Sequence, residues 1–129
     1  MKGYTANRNR TLHHLYSNSI PNTAFLSGDS HANWVSDLVW LDEMPYNQVT
    51  GEGSIGVEFA GTAVSSTGYG EGRSISNSSD RSAVLVRDNR ELQWTEGYYR
   101  GYFELPISPE ELKAEYYGAS VPVFSMLNG

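Results

Sequence analysis

Cysteine is absent from the 129 residues. Its absence excludes disulfides and thiolate metal sites within the chain, and leaves the compartment open. Long apolar runs are missing as well: no stretch reaches the length of about 18 residues that a membrane helix requires. The first residues, MKGYTANRNRTLHHLYSNS, lack the apolar centre of a signal peptide. Positive charge is scarce, with 9 Lys plus Arg against 15 Asp plus Glu and a formal net charge of -6. Such a surface gains no affinity from counterion release, which speaks against nucleic acid as a partner. It also gives no steering toward phosphate esters, so a phosphate site here would need a local cation, metal or arginine.

What is present points to a globular chain. A 39% hydrophobic and 12% aromatic content argues against disorder. Thirteen glycines and nine tyrosines lean toward strands and turns. The length suits one domain or a piece of a larger one.

Periodicity predicts a short helix over about 7–18, with Leu12, Leu15 and Tyr16 on one face. NTAFLS at 22–27, bounded by Pro21 and Gly28, reads as a buried strand. Further strands are expected at Val35–Leu41 and Ile55–Ala60, separated by a loop over 42–53. Residues 61–79 are rich in Gly, Ser and Thr, and predict a long surface loop, functional or mobile. Ser79-Asp80 can cap a helix from about 80 to 91. QWTEGYYRGYFELP at 93–106 reads as a long aromatic strand broken near Gly97 or Gly101. Its cluster Tyr98, Tyr99, Tyr102 and Phe103 reads as sheet core, with a sugar-stacking platform as the alternative. Ser108-Pro109-Glu110-Glu111 has the form of a helix start, and Ala114–Tyr117 that of a last strand. The alternation gives a mixed α and β class. His13 and His14 read as solvated helix residues, because adjacent helical positions point about 100° apart. Arg73 and Arg81 read as surface cations, with contact to a substrate phosphate as the alternative.

The segment with chemistry in it is Gly28-Asp29-Ser30-His31, just beyond the predicted 22–27 strand. Ligands in open α/β sheets bind beyond strand carboxyl ends. Carboxylate oxygen and neutral imidazole nitrogen are the donors that suit calcium, manganese, iron and zinc. Taken alone, Asp-x-His reads first as a turn in which Asp29 accepts backbone N–H bonds and His31 faces solvent, with a metal site as the alternative.

Four ordered blocks add a resemblance. SIPNTAFLSGDSHANWVSDL, IGVEFAGTAVSS at 55–66, Glu91 to Phe103 with its Arg100-Gly101-Tyr102, and ELKAEYY at 111–117 together resemble the alkaline phosphatase D (PhoD-like) family. Their wording is most similar to fungal members. The resemblance implies a metal-dependent hydrolase of phosphate monoesters or diesters within the metallophosphoesterase superfamily. It implies a partial β-sandwich flanked by helices, with iron and calcium as the metals. It makes Asp29 and His31 metal ligands, places Asn33 and Trp34 beside the metal pocket, and implies an exported protein. Glu58, Ser65 and Arg100 belong to the blocks without an assigned role.

The motifs that supply the family's other ligands are not visible here. The expectation is therefore that residues 1–129 form the C-terminal segment of the domain with its N-terminal half absent. The chain alone is then expected to be inactive, with Asp37, Asp42, Glu43 or Glu58 as further carboxylates that nothing places. An unpaired apolar sheet edge would favour association. The competing readings are a catalytically dead remnant and a small β-rich carbohydrate-binding or interaction module.

Overall fold

Leucines three residues apart lie on one side of a helix and can be buried together. The computed structural model describes residues 4–70, 72 and 74–119. In it α1 spans Thr5–Ser17, with Leu12 and Leu15 buried. His13 and His14 are exposed, as expected. Asn18 ends the helix by returning its backbone N–H and its side-chain amide to the His14 carbonyl. Tyr16 donates its hydroxyl to Gly53 O at 2.8 Å, tying α1 to the loop before the third strand.

Four strands form the main sheet: β1 (Thr23–Ser27), β2 (Asn33–Leu38), β3 (Gly56–Ala60) and β4 (Leu92–Glu96). Their order is β1-β3-β2-β4, parallel between β1 and β3 and antiparallel elsewhere. Ser27 pairs with Ala60, Ala60 with Trp34, and Asn33 with Glu96. The carboxyl ends of β1, β3 and β4 therefore meet the start of β2 along one rim. The link from β1 to β2, residues 28–32, must cross the end of β3 to reach its strand. A second, two-stranded sheet pairs β5 (Arg100–Glu104) with β6 (Glu115–Ala119). It packs through Tyr116, whose ring lies 5.0 Å from Trp94 and 5.1 Å from Phe103 and whose hydroxyl donates to Trp34 O.

Several expectations are corrected. β1 is an edge strand and not a buried one: Phe25 is partly exposed and Leu26 is 61% exposed. An apolar run reads as interior, but here it has a neighbour on one side only. The second helix, α2, covers Ile75–Asp88, starting before the expected 80–91. Ser74 caps it by accepting from Asn77 N at 3.1 Å. The inward face of α2 is built partly from serines, Ser78 being buried, so apolar periodicity understates the helix. The aromatic segment breaks near Gly97 as expected, at Gly97–Tyr99, but its two halves are strands of different sheets. Its tyrosines are not core: Tyr98 and Tyr99 are partly exposed and Tyr102 is 57% exposed, while Phe103 is half-buried. Ser108 does cap, accepting from Glu110 N and Glu111 N. No helix follows, because Ser108 N turns back to Glu111 O and Ile107 bridges Leu112. Arg73 lies outside the described residues.

Buried apolar side chains are few among the described residues: Leu12, Leu15, Ala32, Val39, Phe59 and Ala60. Beside Ala24, Val57 and Phe59 the chain leaves an open cavity of about 1000 Å³, reaching across to Ile107 and Leu112.

Candidate metal centre

The rim of the sheet is where the chain must turn most sharply. After Ser27, Asp29 and His31 both take positive φ, 67° and 57°. Most non-glycine residues avoid this region; each costs on the order of 1–3 kcal/mol and persists only where its surroundings hold it. Several bonds hold this turn. Gly61 N donates to Ser27 O at 3.1 Å, closing the ends of β1 and β3. Ala32 and Asn33 are buried behind the turn. Asn33 Oδ1 accepts from Thr62 N at 3.0 Å, and Asn33 O accepts the Thr95 hydroxyl at 2.9 Å.

Asp29 is exposed, and among the described residues its carboxylate takes no hydrogen bond and no ion pair. His31 is half-exposed, and its Nδ1 lies 2.9 Å from Thr67 O. A carbonyl oxygen only accepts, so Nδ1 carries a proton, and in the neutral ring Nε2 then keeps its lone pair. Metal-binding histidines usually show this pattern, one ring nitrogen held by a carbonyl or carboxylate and the other on the metal.

The remaining expected residues divide. Trp34 lines a cavity of about 430 Å³ together with Ser30, Ala32, Tyr69 and Arg81. Asn33 directs its amide oxygen to the Thr62 N–H, which fixes the following loop. Glu58 accepts the Ser27 hydroxyl at 2.6 Å. Asp37 accepts from Tyr46 and Gln93, and Asp42 lies 3.9 Å from Arg90. None of these carboxylates joins Asp29 and His31: no group of three or more His, Cys, Asp or Glu capable of holding a metal occurs among the described residues. Arg81 is exposed, its guanidinium 5.7 Å from the Tyr69 ring centre.

Sequence reasoning missed Thr67. It acts through its carbonyl, a group every residue carries, so residue type gives no signal. Gly68 and Gly70, spaced by one residue in the loop between β3 and α2, are the local cue that a close backbone approach occurs there.

Three comparisons bear on this arrangement. The family model of the PhoD-like phosphatases matches residues 1–116. Alkaline phosphatase D of Bacillus subtilis (strain 168) is 32% identical over 114 residues, covering 88% of this chain and 18% of that protein. A solved structure described as the structure of PhoD superposes with a TM-score of 0.67 at 30% identity, covering 88% of this chain and 20% of that one. The chain thus spans about one fifth of the length of the relatives it matches. On the family match and the shared fold, the chain belongs to the PhoD-like phosphatase family.

Proposed function

We propose that this chain contributes Asp29 and His31 to the metal centre of a phosphate-ester hydrolase whose other ligands come from outside these residues. The observation that carries the reading is the His31 Nδ1 contact with Thr67 O, which in the neutral ring leaves Nε2 as a ready ligand on the rim that also bears the Asp29 carboxylate, unpaired among the described residues. The donor set fits the metals the resemblance implies: carboxylate oxygen suits calcium, and carboxylate with imidazole suits iron. Two protein ligands are fewer than the three that even a mononuclear catalytic site uses, so the centre is incomplete without further segments.

Cations bound there would supply Lewis-acid polarisation of the phosphoryl oxygens and an activated water for attack on phosphorus. Asp29 and His31 hold and orient them. The cations also answer the electrostatic problem of a chain with net charge -6, by creating positive field only where a phosphate sits. Trp34 forms part of the wall of the neighbouring cavity, and Asn33 keeps the loop over the site in place. The natural substrate class is a phosphate monoester or diester, in an exported parent protein. This segment belongs to the C-terminal part of that domain, and alone it is inactive.

The test is metal titration of the chain. Calcium, iron or zinc should bind weakly. Asp29→Ala and His31→Ala should each weaken binding at least tenfold, and p-nitrophenyl phosphate should not be turned over. Binding that is unchanged in both variants would refute the reading. In a longer protein that contains this segment, the same substitutions should lower kcat/KM by more than about 100-fold, since even outer partners of a metal site cost about 10–100-fold.

One feature favours a second reading, the sugar-binding module. Tyr102 and Tyr117 are partly exposed and stack on the β5–β6 ribbon with centroids 5.2 Å apart. Calorimetric titration with oligosaccharides decides it.

A further inference from the structure

The loop after β3 lies against the turn that carries Asp29 and His31, and glycines let it approach so closely. A methyl group at Gly68 would collide with Gly97 O and lie 2.6 Å from His31 O. Gly70 donates its N–H to Gly97 O at 3.0 Å. Gly97 in turn faces the Tyr69 ring so closely that a methyl group there would overlap it. The Tyr69 hydroxyl is anchored by Ser82 Oγ at 2.8 Å and Thr95 Oγ1 at 3.3 Å. On the other side of Thr67, Arg100 Nε donates to Ser66 O at 3.3 Å. Thr67 thus sits between two fixed neighbours.

We propose that this clasp, Gly68 and Tyr69 against Gly97 with Arg100 on Ser66, is a positioning device for His31. It holds the Thr67 carbonyl where it fixes the proton on Nδ1 and leaves Nε2 as the donor atom. The role rests on the metal-centre reading above. A neutral imidazole has one proton to place. A solvated one exchanges between tautomers and swings about its side-chain torsions; a carbonyl held at 2.9 Å removes both freedoms. The clasp also gives work to family blocks that had none: Ser66, in the VEF block, and Arg100, of the RGY block, meet in one hydrogen bond.

Nitrogen-15 NMR of the imidazoles, on the metal-free chain at a pH where they are neutral, reads the tautomer directly. An imidazole in a short unstructured peptide serves as the reference, because His13 and His14 have ring contacts with Ser17 and Asn18. His31 should hold its proton on Nδ1 in the natural chain. Gly68→Ala, which forces a backbone clash, and Tyr69→Phe, which adds no bulk and only frees the ring's anchor, should both move it toward the reference pattern. Cation affinity should fall by roughly 10–100-fold in the same variants. If Gly68→Ala fails to fold, Tyr69→Phe decides. His31 resembling the free peptide imidazole in the natural chain overturns the proposal, as does an undiminished Nδ1–H form in a folded variant. Measurable cation binding that is equal in the natural chain and the variants also overturns it. A fixed tautomer released by the variants, in a chain that binds no cation, supports the positioning role and defeats the metal reading alone.

Discussion

Two aspartates show what separates a structural carboxylate from a free one. Asp37 Oδ2 accepts the Tyr46 hydroxyl at 2.7 Å and Gln93 Nε2 at 2.8 Å, so its charge is satisfied by the loop and β4 together. Asp29 has no such partners among the described residues. The consequence of the first arrangement is measurable. Burial, and next the hydrogen bond to Asp37, push the Tyr46 phenol from 10.0 up to about 12. A raised value means the folded state holds the proton more tightly. The stabilisation is complete below pH 10.0, and it is lost as pH climbs through about 12. Melting temperature followed across that range should fall less steeply in Tyr46→Phe than in the natural chain. Burial raises Tyr116 to about 12 as well, so part of the alkaline loss should persist in the variant. At neutral pH the same substitution removes the hydrogen bond to the Asp37 carboxylate, of a kind worth about 1.5–3 kcal/mol, together with the contacts to Gln93 Nε2 and Arg90 O.

Among elements, α2 separates what residue patterns reveal from what they hide. A cap is legible as a residue type, and both Ser74 and Ser79 qualify; the choice between them depends on where the helix packs. Ser78 turns inward, which brings the helix start back to Ser74. Ser74→Ala should cost about 1 kcal/mol in denaturant melts, and Ser79→Ala close to nothing; equal costs would contradict the assigned start. The strands over 23–27 and 56–60 and the first helix were readable because their apolar spacing and Pro or Gly boundaries are local. That β1 is an edge, that Gly97 divides two sheets, and that Ser108 caps no helix were not readable, since each depends on neighbours distant in sequence. The Asp-x-His pair was visible in the sequence because its donors are side chains. The Thr67 carbonyl that orients it was hidden because backbone groups look alike at every position.

For the molecule as a whole, the relevant fact is how little of it is interior. Few apolar side chains are buried, while Leu26 is 61% exposed on an open strand edge beside the large cavity. The chain covers 18% of the Bacillus alkaline phosphatase D, and an open edge with apolar side chains is a template for pairing with other chains. Leu26→Lys should therefore raise the monomeric fraction and the solubility, read by light scattering against concentration. An unchanged association state would show that some other surface drives it.

The crossing of residues 28–32 over the end of β3 has a kinetic meaning. β1 and β2 follow one another along the chain, yet they cannot pair into a hairpin, because a strand made much later must be inserted between them. Closure over such a separation is slow compared with local contacts. The turn that carries Asp29 and His31 can therefore take its final shape only once β3 has docked between β1 and β2. On the proposed metal-centre reading, a cation held by the finished turn should lengthen the lifetime of the native state more than it speeds folding, which unfolding and refolding rates with and without calcium would measure.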